Sequence, residues 1–290
     1  MAEEYLKACP LCSSEKFVPL SAYAKHHLMR CRNCGFVFSR KIPELKVLVD
    51  KYDSYKIQQT LSSVTAIRYR EMLDYFELFR KTGNIIDVGC GDGYLLCMAK
   101  ERGWNVYGTE FTESKVAFCT SKGINMKQGP LELKNYSLGF FDVVISIEVI
   151  EHINTPCDEV GNFNSLLRNG GIAYITTPNF NSVSRLFLKE KWNVVAYPAH
   201  LCYFTRKTLC RLFNSSGFGT ISVRTTGISF SRAQQSVTAV PKWDDIKITD
   251  EKVRQAIEHN FLLRAVKKII NTVLNLFKAG DAMKAVFIKQ

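Results

Sequence analysis

The chain has 290 residues, of which 46% are hydrophobic and 23% charged. That is enough for one large α/β domain plus a small module, and it excludes a disordered composition. No apolar run reaches the roughly 18 residues of a membrane-spanning helix. The net charge of +12 points to an anionic partner such as nucleic acid, a phosphorylated sugar or lipid, or a membrane surface; a solvated basic surface with no partner is the plain alternative.

Met1 to Lys7 are polar and acidic and lack the basic-then-apolar order of a signal peptide. The chain is therefore expected to stay in a reducing cytoplasm, with its ten cysteines as thiols or metal ligands rather than disulfides. Residues 1–42 read as a metal-stapled module. Cys9-Pro10-Leu11-Cys12 and Cys31-Arg32-Asn33-Cys34-Gly35 are two C-x2-C knuckles separated by 18 residues, the spacing of a structural zinc ribbon. Four thiolates close the zinc tetrahedron and leave no open position for chemistry. So short a module draws its folding energy from the metal. His26 and His27 lie between the knuckles, but replacement of a cysteine by either is not expected. A lid or docking role is preferred for the module over contact with nucleic acid.

Residues 43–83 read as a helical lead-in: Val64, Ile67, Met72, Leu73, Phe76 and Phe79 fall near helical spacing, and Gly83 suits a C-cap. From 84 to 230 strands and helices alternate. Strands are expected at 84–89, 105–109, 124–128, 141–147, 171–176 and 220–225, and helices at 94–102, 113–122, 157–168 and 205–216. This order predicts an α/β fold with a doubly wound, Rossmann-like sheet and right-handed crossovers. Residues 231–290 read as a C-terminal segment. Residues 251–278 are expected to form one basic amphipathic helix, with Phe261, Ala265, Ile269, Val273 and Phe277 on one side and Arg264, Lys267, Lys268, Asn271 and Lys278 on the other. That helix either packs on the domain or a second copy, or lies peripherally on an anionic membrane. A final strand is expected near 285–288.

Asp87-Val88-Gly89-Cys90-Gly91-Asp92-Gly93 follows a strand and opens a helix. Its glycines permit a tight turn and close approach of a ligand, and the helix N-terminus offers N–H groups. The spacing is G-x-G-x-G, unlike the G-x-G-x-x-G of dinucleotide folds. Glu110 closes the next strand, 23 positions after Asp87, where a carboxylate can bind two ribose hydroxyls. Together these resemble the cofactor motifs of class I S-adenosylmethionine-dependent methyltransferases. The resemblance spans about residues 60–230 and continues in Ile147-Glu148-Val149-Ile150-Glu151-His152, Thr177-Pro178-Asn179 and His200-Leu201-Cys202-Tyr203-Phe204-Thr205. The chain resembles the broad group containing the ubiquinone-pathway O-methyltransferases and many sugar or small-molecule methyltransferases.

The resemblance implies a seven-stranded sheet whose last strand is antiparallel. It implies S-adenosylmethionine held by Asp87, Gly89, Cys90, Gly91, Gly93, Tyr94, Glu110, Phe111, Leu131 and Glu148. An acidic residue is usual after the third strand in that family; here Gln128-Gly129-Pro130-Leu131-Glu132 lacks one beside the glycine, which leaves the adenine contacts open. In small-RNA 2′-O-methyltransferases a similar E-x-x-E-H plus a later histidine holds Mg²⁺. The matching positions are Glu148, Glu151, His152 and His200, the first three of which would share one face if a helical turn starts there. Two roles stay open for them: a divalent-cation site that acidifies the acceptor hydroxyl, or a lone histidine base. The leading expectation is O-methylation of a small-molecule, sugar or glycan-type acceptor. A nucleic-acid 2′-O-methyltransferase and a non-catalytic cofactor-binding regulatory protein are the alternatives. No nucleic-acid-binding domain beyond the ribbon is evident, which weighs against the first of these.

Overall fold

The N-terminal cysteines sit in turns and at the end of one of several short strands, whose hydrogen bonds run to each other and, at one edge, to a strand from far along the chain. A computed structural model describes residues 4–44, 47–48, 57–58, 60–227 and 260–290; most of 45–59 and residues 251–259 of the expected 251–278 helix lie outside the described residues. Strands β1 (Glu4–Tyr5), β2 (Phe17–Pro19), β3 (Leu28–Cys31), β4 (Val37–Ser39) and β5 (Lys41–Ile42) form the module. β2, β3 and β4 pair antiparallel, and β1 pairs with β5.

Helix α1 (Ser63–Glu77) starts where the Ser62 hydroxyl accepts the Thr65 N–H at 3.2 Å, and it buries Val64, Leu73 and Phe76. It ends at Glu77, so Gly83 is not its C-cap. The buried Asp142 decides what Gly83 does instead: its carboxylate accepts the N–H groups of Lys81 at 2.9 Å and Gly83 at 2.7 Å. Those bonds turn the chain into the sheet, and Gly83 takes a φ of +77° there. Burial raises the Asp142 pKa, but the N–H groups of Lys81, Thr82 and Gly83 and the Arg168 guanidinium outweigh it and hold the carboxyl below its ordinary range.

The main domain then runs β6 (Asn84–Val88), α2 (Tyr94–Glu101), β7 (Asn105–Glu110), α3 (Glu113–Ser121), β8 (Asn125–Gln128), β9 (Phe141–Ile147), α4 (Pro156–Leu166), β10 (Leu167–Pro178), α5 (Val183–Leu188), β11 (Cys202–Tyr203), α6 (Arg206–Ser215), β12 (Phe218–Thr226), α7 (Phe261–Leu276) and β13 (Ala282–Lys289). Seven strands form one sheet in the order β12-β13-β10-β9-β6-β7-β8. β6 to β10 are parallel, and β13 runs antiparallel to both neighbours. The central strands are apolar on both faces: Ile85, Ile86, Val143, Val144, Ile145, Ala173 and Ile175 have no measurable exposure, as helices on both sides require. The chain order reverses between β6 and β9, and ligands bind at the carboxyl ends of strands at such a point.

Several boundaries differ from the sequence reading; the helix expected over 251–278 is capped by the Asn260 side chain and runs from Phe261 to Leu276. The helix expected to reach Arg168 stops at Leu166, because Arg168 is drawn back to Asp142 and the carbonyls of Asn164 and Leu167 accept Lys289 Nζ at 2.7 and 2.9 Å. β10 accordingly begins at Leu167 and runs 12 residues. β11, which the sequence reading did not anticipate, joins the N-terminal module instead of the main sheet: Cys202 pairs with Phe38 and Tyr203 with Val37. Phe36 and Phe204 pack at a ring separation of 5.0 Å, so module and main domain share one core.

Candidate active site

β6 delivers Asp87 to the carboxyl edge, and the chain turns through Gly89, Gly91 and Gly93 with φ of +70°, +57° and +67°. The three glycines serve different ends. A Cβ on Gly89 would stand 2.7 Å from Val149 Cγ2, and one on Gly93 2.7 Å from Cys119 Sγ, whereas at Gly91 nothing lies within 4 Å. Gly89 and Gly93 admit neighbours; Gly91 leaves open space above the turn. Glu110, at the end of β7, leans onto the same turn. One carboxylate oxygen accepts the Gly91 N–H at 3.0 Å, and the other accepts the N–H groups of Phe111 at 2.8 Å and Thr112 at 3.2 Å.

Asp87 is buried, and among the described residues its Oδ1 has no hydrogen-bond partner. Burial, and then the Glu110 charge, push its carboxyl well above the ordinary range. A buried acceptor without a partner beside an open glycine turn suits a cationic ligand group. Cys90 is no nucleophile: a hydrogen bond with Cys119, then burial, raise its thiol far above neutrality. Tyr94 opens α2, and its hydroxyl donates to the Gln58 carbonyl at 2.6 Å, fastening that segment to the rim. Leu131 is buried just beyond β8, while Phe111 is exposed.

Across the switch point, the chain leaves β9 through Glu148, a non-glycine residue at φ +55°. Its N–H donates to the Thr176 carbonyl, and its carboxylate accepts the Thr176 hydroxyl at 2.9 Å. Val149 covers Gly89, and a single 3-10 turn follows at Ile150–His152. Glu151 is buried and accepts the Thr177 hydroxyl at 2.9 Å. His152 Nδ1 lies 2.7 Å from the Ala199 carbonyl and His200 Nδ1 2.7 Å from the Val194 carbonyl. A carbonyl only accepts, so in each neutral ring Nδ1 carries the proton and Nε2 the lone pair. The two rings meet edge to face, 4.7 Å apart.

Donor atoms of Glu151, His152 and His200 all lie within 4.8 Å of one another. Of the four residues expected together, the structure gathers these three. Glu148 is turned away onto Thr176, because its left-handed backbone and the tight 3-10 turn replace the α-helical turn that would have aligned it with Glu151 and His152. Thr176, which orients the Glu148 carboxylate, was missed in sequence; Thr177, which orients Glu151, opens the quoted Thr177-Pro178-Asn179 but was given no role there.

In the N-terminal module Cys9, Cys12, Cys31 and Cys34 converge within 4.8 Å. The Cys9–Cys34 and Cys12–Cys31 Sγ pairs are 3.6 Å apart. A zinc tetrahedron with Zn–S of about 2.3 Å has S–S edges of about 3.8 Å, so the thiols stand at the separation the metal requires. Burial raises the Cys12 thiol, but hydrogen bonds from the Ser14 N–H and Asn33 side chain outweigh it and bring it down to about 7, whereas burial pushes the Cys34 thiol up to about 11 and the Cys9 thiol further still, so a metal there would have to displace their protons. His26 accepts the Tyr197 N–H at 3.3 Å instead of joining the cysteines.

A model of the methyltransferase domain matches residues 64–223, more than half of the chain and the whole span from α1 into β12. The chain belongs to the methyltransferase-domain family. It is 32% identical over 111 residues to the ubiquinone biosynthesis O-methyltransferase of Acinetobacter baumannii (strain ACICU), which covers 36% of this chain and 47% of that protein. To its namesake in Pseudomonas aeruginosa (strain UCBPP-PA14) it is 29% identical over 110 residues, with the same coverage. The chain thus spans about half the length of these curated relatives. Among solved structures it resembles a SAM-dependent methyltransferase from Archaeoglobus fulgidus (TM-score 0.53, 18% identity, 85% of this chain and 100% of that one). It also resembles geranyl diphosphate methyltransferase in complex with GPP and sinefungin (TM-score 0.51, 14% identity, 78% of each chain). These two likenesses show the fold of S-adenosylmethionine-dependent methyltransferases. Among the described residues no helix is long and apolar enough to cross a membrane.

Proposed function

We propose that the chain transfers the methyl group of S-adenosylmethionine to a hydroxyl of a small-molecule, sugar or glycan-type acceptor, with His152 as the base. One observation carries the reading: Val149 packs on Gly89 of the cofactor turn while His152, three residues on, has its Nε2 lone pair set by the Ala199 carbonyl. A lone-pair nitrogen thereby stands on the same strand-to-turn connection that covers the cofactor motif.

When bound, S-adenosylmethionine supplies an activated methyl on a sulfonium. Asp87 and the 89–93 turn would hold its amino-acid end, Glu110 its ribose hydroxyls, and Phe111 and Leu131 would flank the base. The protein's remaining work is alignment and proton removal. The acceptor oxygen forms a bond to the methyl carbon, the carbon–sulfur bond breaks with its electron pair staying on sulfur, and the hydroxyl proton passes to His152 Nε2. Glu151, held by Thr177, favours the imidazolium that results. Cys9, Cys12, Cys31 and Cys34 would hold one structural Zn²⁺.

The convergence of Glu151, His152 and His200 supports a second reading, in which the three bind a divalent cation that acidifies the acceptor. Two imidazoles and one carboxylate suit Mn²⁺ or Zn²⁺ better than Mg²⁺, which takes oxygen donors and holds its waters. A screen of hydroxylated acceptors with methyl-labelled S-adenosylmethionine, with and without chelator and added Mn²⁺ or Mg²⁺, tests both readings. Product that survives chelation supports the base; product lost with chelator and restored by the cation supports the metal.

A further inference from the structure

α7 is docked the wrong way round for a core helix. Its polar seam faces the protein: Asn271 Oδ1 accepts the Gly227 N–H at 2.9 Å, Asn275 Oδ1 accepts the Thr225 N–H at 3.0 Å, and the Leu274 carbonyl accepts the Thr225 hydroxyl at 2.9 Å. Leu274 is buried, yet Phe261, Leu262, Val266, Ile269, Val273 and Phe277 stand exposed, Phe261 at 74% and Phe277 at 73%. At 100° per residue these six fall on one arc opposite the asparagines. A surface helix of a globular domain does the reverse and turns its apolar stripe inward.

Two further features share this edge. α5 begins where the Val183 N–H meets the Ala279 carbonyl at 2.9 Å, and it exposes Leu186 and Phe187, the latter at 82%. Lys278, at the end of α7, lines a groove of about 260 Å³ with Arg206 and Lys207. Lys267 and Lys278 border the apolar arc on one side and Lys268 on the other, all exposed, where their stems can lie along an interface with their charges in the headgroups. β13 starts beside Pro178, at the carboxyl end of β10, so the apolar face lies on the same edge of the sheet as the cofactor turn.

We propose that this face is a docking surface for an anionic lipid bilayer, with α7 lying in the interfacial plane and Leu186 and Phe187 inserting beside it. Charge complementarity selects the occupant. Aromatic and aliphatic side chains rimmed by lysines, on a chain of net charge +12, match the apolar boundary and negative potential of such a surface. A second copy of the chain would set the same lysines and the same net charge against themselves. The consequence is that the catalytic edge faces the membrane, and amphiphilic acceptors reach it from there.

Co-sedimentation of the full chain with vesicles tests this, with phosphatidylcholine alone compared with an equimolar mixture of phosphatidylcholine and phosphatidylglycerol. The full chain should partition at least about tenfold more onto the anionic vesicles. The pair Ile269→Asp and Val273→Asp should return binding to background, and the pair Lys267→Glu and Lys268→Glu should erase the anionic preference. Because these side chains are exposed, both variants should unfold at the wild-type temperature. No cofactor or turnover is needed, so this result and the methyl-transfer result stand apart. Wild-type protein left in the supernatant with both vesicle types overturns the proposal. So does a dimer in sedimentation velocity that the double aspartate variant splits without any vesicle binding.

Discussion

The Ser39 N–H donates to the Leu201 carbonyl at 2.7 Å, one residue past His200. Ser39 ends the strand that leaves the second cysteine knuckle, and the Leu201 N–H in turn donates to the Glu151 carbonyl at 2.8 Å. The Cys157 thiol reaches the Pro10 carbonyl inside the first knuckle at 3.2 Å. The cysteine module is therefore wired to the segment that carries His200 and, through Glu151, to the turn that carries His152.

Loss of the knuckle should therefore reach the chemistry. A Cys9→Ser and Cys12→Ser double variant is expected to lose its zinc. A displacement of the His200 segment by about 1 Å should then cost about 10²-fold in turnover, while S-adenosylmethionine binding, assigned to the 89–93 turn and Glu110, changes little. Metal analysis, calorimetry and single-turnover rates on the same preparations check this. Unchanged turnover in zinc-free folded protein would reduce the module to an appendage.

Glu110 binds both the cofactor turn and the start of α3. Glu110→Ala removes a charged two-point acceptor and should weaken S-adenosylmethionine binding by about 1.5–3 kcal/mol. Gly91→Ala should do so by a different route. It fills the open space above the turn and forces a side chain onto a positive φ, at about 1–2 kcal/mol, with no neighbour to clash with. Titration calorimetry on the two variants reads both effects; affinity that stays at the wild-type value in Glu110→Ala removes the ribose assignment.

Glu159 on α4 supplies a pH signature of stability. Burial pushes its carboxyl up to about 7, against about 4.3 in the unfolded chain. The folded value is the higher one, so the fold binds this proton more tightly. The associated stability is fully present below pH about 4.3 and is lost as pH rises through about 7, to a total of at most about 4 kcal/mol. Glu159→Gln should flatten that decline and be the more stable protein at pH 8. Denaturant melts at a series of pH values measure it, and parallel curves for the two proteins would show that Glu159 is solvated.

Much of this was legible in the sequence because local signals and tertiary demands agreed. The strand–turn–helix around Gly89 to Gly93 needs positive φ at three positions, and glycine stands at each. The spacing of the four cysteines foretold that they would converge within 4.8 Å of one another. The misses arose where distant partners decide. Gly83 looked like a helix cap, but Asp142, 59 residues away, uses its N–H. β11 is two residues long and carries no periodicity; only pairing with β4 makes it a strand. Glu148 was grouped with Glu151 and His152 by assuming helical spacing, which a left-handed residue followed by a 3-10 turn does not keep. Nothing in the periodicity of 261–277 says which face of the helix points outward, because that depends on the two asparagines meeting β12.

The central claim is that His152 removes the acceptor proton, and the measurement that tests it most directly is single-turnover transfer of labelled methyl by His152→Ala with S-adenosylmethionine saturating. The account predicts an unchanged dissociation constant for the cofactor and a rate lowered about 10²–10⁴-fold. It also predicts that the wild-type rate climbs from acid to neutral pH, because only the neutral ring accepts a proton, and that a chelator too weak to strip the cysteine module of its zinc leaves it intact. A His152→Ala enzyme that transfers methyl at the wild-type rate to the same acceptor would contradict it and leave alignment as the whole of the catalysis.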